Sequence, residues 1–562
     1  MSLLFGIGID NFGELIRRGA HFVDKTAFIH ALFDRSMTLV TLLTRPRRFG
    51  KTLNLSMLQH FLAKSIGNLP TRELFRGLAI EKSPLFEKHQ GKYPVIFLTL
   101  KGIKATNFQQ ALADCAGILR RLYQEHEYLL QGALLTSDDQ ERFRRMLQQT
   151  ASQSEMQTAL LDLCRLLYQH YGVKPWLLID EYDTPLHSAY LEGYYEEMVP
   201  FMQSFLGSAL KGNDFLERAV LTGILRIAKE SLFSDLNNLM VCTLFDTEYS
   251  DAFGFTETEV HDLLVQAQLT EKMADIQRWY NGYLCGNTVL YNPWSIIQCL
   301  SKAGALQPYW VMTGGTRLVQ DLLAQADHES KKALEQFMQG KTIMARISDH
   351  LVFQHLGAGL ESLLSLLLAA GYLKAVSRTL LEDENLWLCE LSAPNQEVRA
   401  TFRNSVLSWF SSQGAQSQFE YTLSALVEGE PEGFADCLQL LLTRIVSYFD
   451  ASGQEPEKFY HGFVLGMMVH LSKTHSVESN RESGFGRYDV MIMPNDHSKP
   501  GIVLEFKVAY GSKTLETTAQ EALQQIKDRQ YAENLHARGV TRVLLLGLAF
   551  RGKEVRVVWD SN

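Results

Sequence analysis

The chain has 562 residues, 46% hydrophobic and 21% charged, which suits a folded protein of about three domains with length for sizeable cores. The formal net charge of −9 excludes a global basic field that would advertise nucleic acid, while leaving a local basic groove open. Seven scattered cysteines without a CxxC pair argue against structural zinc and for free thiols in a reducing, cytoplasmic setting. No apolar run reaches the ~18 residues of a membrane span, and no basic region leads a long apolar stretch at the N-terminus, which argues against a membrane partner and a secretory signal. Export through other signals stays open.

In chain order, Asp24-Lys25-Thr26 precedes helical apolar spacing over 27–33. It reads either as a side-chain-capped helix start or as a nucleotide lid. Leu39-Val40-Thr41-Leu42-Leu43 is an apolar strand, and Leu53 to Leu62 is helical in pattern. Between them lies Thr44-Arg45-Pro46-Arg47-Arg48-Phe49-Gly50-Lys51-Thr52. Strand, tight loop, Gly-Lys-Thr and helix describe a phosphate-binding loop. Backbone N–H groups at the helix start cradle phosphates, Lys51 reaches the terminal ones and Thr52 holds Mg²⁺. The usual first glycine falls at position 45, which is arginine.

A second buried strand is expected at Pro94–Leu100, and helices at Gln109–Leu122 and Met156–Tyr168. Trp176-Leu177-Leu178-Ile179-Asp180-Glu181-Tyr182-Asp183 reads as a buried parallel strand exposing acids at its C-terminal end, where ligands bind in α/β sheets. Asp180 is the candidate Mg²⁺ ligand, and Glu181 the candidate base for the attacking water. Arg218–Leu225 is a further strand. Thr222 near its end either senses the γ-phosphate or is a plain strand-end hydroxyl. Arg226 faces phosphate in cis, serves a neighbouring subunit of a homo-oligomer, or is a solvated charge.

These strands, with crossover helices and no compact hairpins, predict a P-loop α/β domain over 1–240. Residues 241–410 read as a helical or winged-helix region. Thr256 and Glu259 form a capping box. The aromatic clusters Trp279-Tyr280-Asn281-Gly282-Tyr283 and Tyr291-Asn292-Pro293-Trp294-Ser295 either pack small helices or stack bases, and 360–375 is apolar and helical. Ser411–Ser417 is the clearest linker, and a third domain spans 418–562.

That last domain carries a second constellation. Glu457 leads an apolar helix, and a strand over Gly486–Met493 bears Asp489. After a turn over 494–500, a partner strand over Gly501–Val508 bears Glu505 and Lys507. Alternation puts Glu505 and Lys507 on one face, where Asp489 meets them. Two carboxylates suit Mg²⁺ or Mn²⁺, with Lys507 orienting water or stabilising charge and Gln525 in support. A cross-strand salt bridge without chemistry explains the same residues. A closing strand over 542–547 completes a mixed sheet.

Together these stretches resemble a bacterial family that joins an AAA-ATPase-like domain to a C-terminal nuclease domain of the PD-(D/E)XK superfamily. The resemblance rests on Phe22-Val23-Asp24-Lys25-Thr26, Arg45-Pro46-Arg47-Arg48-Phe49-Gly50-Lys51-Thr52, Leu178-Ile179-Asp180-Glu181-Tyr182-Asp183, the two aromatic clusters, Gly486-Arg487-Tyr488-Asp489 and Glu505-Phe506-Lys507. The Arg45 form of the loop is a mark of that family. The resemblance implies an α/β multidomain fold ending in a restriction-endonuclease-like domain, with ATP and Mg²⁺ as cofactors. It implies ATP binding at Lys51 and Thr52, with Asp180 and Glu181 in the Mg²⁺ and water-activating roles; Arg45, Arg48, Gly50, Thr222 and Arg226 are further candidates around the nucleotide. Glu181 is the first catalytic group, and Asp489, Glu505 and Lys507 are the nuclease core. Glu457, His461 and Gln525 match flanking helical motifs. Tyr488 stands where the superfamily name has proline. An ATP-regulated nuclease acting on nucleic acid is the first functional expectation. The alternatives are a nucleotide-dependent switch or scaffold that binds without cutting, and an ATPase acting on other substrates.

Overall fold

Every residue of β1 (Val40–Thr44) is buried, as a parallel strand covered on both faces requires. The computed structural model describes residues 4–34, 38–132, 134–226, 237–310, 328–338, 340–348, 359–384, 386–400, 416–445, 489–511 and 513–561, together with Phe233, Phe402 and short pieces between 464 and 487. The chain divides into two units, Met1–Thr401 and Phe402–Asn562.

In the first unit β1 leads through the loop into α1 (Lys51–Leu62). There follow β2 (Val95–Thr99), α2 (Phe108–Glu125), α3 (Gln153–Tyr171), β3 (Trp176–Asp180), α4 (Thr184–Glu192), α5 (Tyr195–Leu210), β4 (Arg218–Gly223) and β5 (Leu239–Cys242). The strands form one sheet in the order β2-β3-β4-β1-β5, and every pairing is parallel. β4 thus separates the loop strand from the acid strand. The register sets Leu43 beside Thr222, and Thr99 beside Asp180. Local signals agree with this layout. α3 opens on a Ser152–Glu155 capping box and closes on left-handed Gly172. β5 was not anticipated. It is four residues long and straddles the expected boundary at residue 240.

Asp24 builds a turn: Oδ1 accepts from Thr26 N and Oγ1, and Oδ2 from Ala79 N. Lys25 is paired with Glu259. The capped helix start therefore accounts for this segment.

Further along lie α6 (Glu257–Ala267), α7 (Met273–Tyr280) and α8 (Pro293–Ser301). The Thr256–Glu259 capping box is present. Val260, Leu263, Ile276, Tyr280, Tyr291 and Ile296 share one core, so packing explains most of the aromatic clusters. The stretch 241–410, read as helical or winged-helix, mixes helices with strands. The chain there also forms β6 (Ile343–Ile347), α9 (Leu360–Ala370), β7 (Lys374–Leu381) and β8 (Leu386–Ser392). The three strands make an antiparallel sheet ordered β6-β8-β7. α9 stops at left-handed Gly371 rather than running to 375, because a glycine with φ 89° ends a helix readily.

The second unit begins with α10 (Gln416–Glu428) and α11 (Pro431–Ile445). Gln416 and Ser417 thus belong to a helix rather than to the linker; residues 411–415 lie outside the described residues. Next come β9 (His475–Ser479), β10 (Val490–Pro494), β11 (Gly501–Val508), α12 (Leu515–Asp528), β12 (Val543–Arg551) and β13 (Glu554–Ser561). The sheet order is β9-β10-β11-β12-β13, with only β11 and β12 parallel. The strand expected over Gly486–Met493 is broken. Gly486–Arg487 pairs with Glu482–Ser483, and β10 starts at Val490.

Alternation along β11 decides what each face carries. Ile502, Leu504 and Phe506 enter one core with Leu438 and Leu442 of α11. Val503 enters the other, with Ile526 of α12. Glu505 and Lys507 share Val503's parity and so face α12. Gly547 lies opposite Glu505 on β12 and admits that helix. A Cβ there would stand 2.3 Å from Ala519 O and 2.5 Å from Leu523 N. Gly547→Ala is expected to destabilise this unit by about 3 kcal/mol by overpacking. Chemical denaturation of the full chain, followed by a probe of the second unit, checks it.

Candidate functional site

The loop strand and the acid strand end at the same sheet edge, so their polar residues converge there. Asp180, the last residue of β3, is completely buried. Its Oδ2 accepts from Thr52 Oγ1 at 2.8 Å, and its Oδ1 from Thr222 Oγ1 at 2.7 Å. One hydroxyl comes from α1 and the other from β4. Burial pushes the Asp180 carboxyl up, and neighbouring Glu181 adds to the shift against the two hydroxyl bonds and Lys51.

Lys51 opens α1 behind Gly50, whose φ of 82° turns the chain so that the helix N-terminus faces the loop. The ammonium is buried and donates to Arg45 O and Pro46 O, both at 2.9 Å. Burial lowers its pKa, while Glu181, Asp183 and Asp180 oppose and Arg47 reinforces the shift. Lys51 and three acids therefore occupy one electrostatic neighbourhood. Glu181 follows the buried strand with a φ of 51°, an uncommon conformation for a side-chain-bearing residue. Thr184 Oγ1 donates to its Oε2 at 3.2 Å. This half-buried carboxylate and buried Asp180 are neighbours in different environments.

Asp183 was quoted in the sequence motif but given no role. It is buried, and its Oδ2 accepts from Ile224 N and Leu225 N at 2.8 and 2.9 Å. That carboxylate fixes the chain just after Thr222. His187 Nε2 lies 3.5 Å from the same oxygen, with its pKa lowered by burial. Nothing in the sequence pairs Asp183 with 224–225, since the contact spans two strands.

Arg45 requires a correction. Its side chain is fully buried and donates to the carbonyls of Thr44, Cys242, Thr243, Glu248 and Tyr249. It staples β1 to the segment after β5 instead of facing phosphate. Arg48 is exposed, has a φ of 64°, and lies over the Trp294 ring with its guanidinium carbon 4.4 Å from the centroid. Arg226 lines a cleft with Thr44, Thr243, Phe245, Ser365 and Leu368.

In the second unit Asp489 stands directly before β10, and its Oδ2 accepts from Phe506 N at 2.8 Å. Gln525 of α12 bridges the other two groups. Its Oε1 accepts from Lys507 Nζ at 2.8 Å, and its Nε2 donates to Glu505 Oε1. Glu505 is 4% exposed. Tyr531, missed in the sequence, is buried beside them. Burial raises its pKa, and Glu505 adds to the rise. Asp489, Glu505, Lys507 and Gln525 are thus gathered on β10–β11 and α12. Glu457, His461 and Tyr488 lie outside the described residues.

Residues 6–233 match the family described as a predicted AAA-ATPase, and residues 455–560 match the PD-(D/E)XK nuclease superfamily. The chain pairs an AAA-ATPase-like domain with a PD-(D/E)XK superfamily domain. It is also similar to a protein described as "Uncharacterized protein in vnfD 5'region" of Azotobacter chroococcum mcd 1. The two are 28% identical over 553 residues, covering 97% of this chain and 96% of that one. The AAA-ATPase-like match contains Lys51, Asp180 and Thr222, and the PD-(D/E)XK match contains Asp489, Glu505 and Lys507. Among the described residues no helix is long and apolar enough to cross a membrane.

Beyond the AAA-ATPase-like match lies a further acid. Glu397 is fully buried, accepts from Ser295 Oγ at 2.8 Å and Trp310 N at 2.6 Å, and has its pKa pushed up to about 7 by burial. Its unfolded-state value is near 4.5. Between those two pH values the folded chain holds more protons, so stability falls as pH rises through the window. Glu397→Gln keeps an acceptor for Trp310 N and gives a donor to Ser295. It is expected to raise Tm at pH 8, by up to about 3 kcal/mol of stability, and to change little at pH 4.5. Thermal melts at both pH values check this.

Proposed function

We propose that the AAA-ATPase-like domain binds and hydrolyses ATP, and that its nucleotide state controls a metal-dependent, phosphodiester-cleaving site in the PD-(D/E)XK domain. The observation that carries the first half is Asp180, a buried carboxylate held between two hydroxyls beside the N-terminus of α1. Such a donor set of hard oxygens fits Mg²⁺. Thr52 and Asp180 would hold the ion, which when bound neutralises phosphate charge. The backbone N–H groups at Gly50–Thr52 and the Lys51 ammonium bind phosphates, the ammonium exchanging its loop carbonyls for phosphate oxygens. Arg48 adds a cation at the loop. Glu181 orients the attacking water and takes its proton. Thr222 aims Asp180, and its hydroxyl bond counters the upward shift that burial gives the carboxyl.

The second half is supported by Gln525 bridging Glu505 and Lys507, with Asp489 bonded to the backbone of Phe506 between them. The two carboxylates fit a hard cation, Mg²⁺ or Mn²⁺, which when bound activates water and offsets charge at phosphorus. Lys507, held by Gln525, would position the water or stabilise the developing oxyanion. Nucleic acid is the substrate class this implies. α9 and the β6-β8-β7 sheet support, as part of this proposal, a winged-helix-like element in the middle region.

The test is an assay of phosphate release and strand cleavage by the full chain. It uses single- and double-stranded DNA and RNA, with Mg²⁺ or Mn²⁺, and with or without ATP. Metal-dependent cleavage whose rate changes with ATP is expected. Cleavage indifferent to ATP overturns the control. ATP turnover with no cleavage under any condition favours a switch that binds without cutting.

A further inference from the structure

The phosphate loop lacks the glycine usually found at its start, yet it holds left-handed turns at Arg48 and Gly50. Its conformation is supplied from outside. Residues from 242 to 371 grip each of its five positions from 45 to 49. Arg45 is stapled to the carbonyls after β5, as described. Pro46 lies against Gly371, where an added Cβ would stand 2.8 Å from Pro46 Cβ. Phe49 O accepts from Gly254 N at 3.0 Å, and the Phe49 ring meets Tyr283 edge-on at 5.0 Å.

The apex is held by the aromatic motif at the start of α8. Asn292 caps α8, its Oδ1 accepting from Trp294 N and Ser295 N. Its Nδ2 donates to Arg47 O at 3.3 Å, and Trp310 Nε1 donates to the same oxygen at 3.3 Å. Trp294 lies under the Arg48 guanidinium. Buried Glu397 ties Ser295 to Trp310 and so makes one socket of the two arms. Packing alone does not account for this arrangement, since one side amide and one indole N–H converge on a single loop carbonyl.

We propose that Asn292, Trp294 and Trp310 are positioning residues for the phosphate loop: they hold the turn at Arg47–Arg48, aim Arg48, and couple nucleotide binding to the N-terminus of α8. The proposal rests on the loop's reading as a nucleotide site. A cation stacked on an aromatic face keeps its N–H edge free to meet a phosphate. Removing the ring releases the side chain and relaxes a backbone turn that a non-glycine residue adopts at a cost. The coupling is reciprocal, so a ligand on the loop shifts the environment of Trp294.

The test measures binding of a fluorescent ADP analogue to the full chain, with Tm recorded for each variant. Trp294→Ala is expected to weaken binding by about tenfold, and Trp294→Phe, which keeps a ring under Arg48, to restore it to within about threefold. Saturating nucleotide is also expected to change the tryptophan emission of the unmutated chain, and that change to shrink in Trp294→Phe. This second readout needs no alanine variant. Binding by Trp294→Ala equal to the unmutated chain overturns the proposal. So does a loss that follows Tm and is not rescued by phenylalanine, or an emission indifferent to saturating nucleotide. If the unmutated chain binds no nucleotide, the reading of the loop itself falls, and the proposal with it. If it binds, loses binding in Lys51→Ala and ignores Trp294, the proposal alone falls.

Discussion

Glu181→Gln is expected to cut ATP turnover by about a thousandfold, the loss of a positioned general base, while ATP affinity stays within about threefold of the unmutated chain. The reason lies in the division between two adjacent acids. Asp180 is buried between the Thr52 and Thr222 hydroxyls, each bonded to one of its oxygens. Glu181 is half-buried, and its left-handed backbone turns it out of the strand line. A base must accept a proton from a water near the phosphate, and the proposed function gives that role to Glu181. Glutamine keeps the shape and the Thr184 contact but removes the proton acceptor. Phosphate release under saturating ATP, with binding measured separately, checks the pair of outcomes. Equal losses of turnover and affinity would mean that Glu181 shapes the pocket and is no base. Asp180→Asn is the contrasting variant. It exchanges a buried carboxylate that bonds two hydroxyls, so metal dependence and affinity are expected to suffer together.

Lys507→Ala is expected to lower metal-dependent strand cleavage by about a hundredfold to a thousandfold, the range for removing one preorganised charge-stabilising group. The ammonium is held by Gln525, and Gln525 by Glu505, so the three groups act as a unit. Gln525→Ala should therefore lower cleavage as well, but by less, because it frees Lys507 without deleting it. Combined, the two substitutions should cost less than the product of their separate effects. Cleavage by Lys507→Ala equal to the unmutated chain would falsify the nuclease assignment and leave these residues a structural role, in the hydrogen bonds that run through Gln525. Gly547→Ala adds an independent check, since its Cβ presses on the backbone of α12, and so displaces Gln525, without altering a side chain of the site.

Much of the sheet was legible because burial leaves a mark in composition. The five-residue runs ending at Thr44 and Asp180 are apolar and wholly buried. The Thr256–Glu259 capping box announced a helix start. The antiparallel strands β6 and β7 were not legible: β6 alternates in burial but its exposed Met344 is apolar, so its residue types do not alternate, and half of β7 is exposed. Period-two alternation did place Glu505 and Lys507 on one face. It said nothing of which helix covers that face, and the answer depends on Gly547, about forty positions later in the chain.

The sequence by itself determined which residues carry charge and hydroxyls at strand ends: Lys51, Thr52, Asp180, Glu181, Thr222, Asp489, Glu505 and Lys507. Those assignments follow from local rules, since polar residues stand out at the ends of apolar strands, at a helix start and on one face of an alternating strand. Only the tertiary structure decided what each does with its neighbours. It turned Arg45 from a phosphate contact into a staple, because five carbonyls from two chain segments surround its guanidinium. It gave Asp183 a role in fixing 224–225, and it brought Asn292 to the Arg47 carbonyl across 245 positions of chain. Such contacts arise from packing between distant elements, whose partners no local pattern of residues encodes.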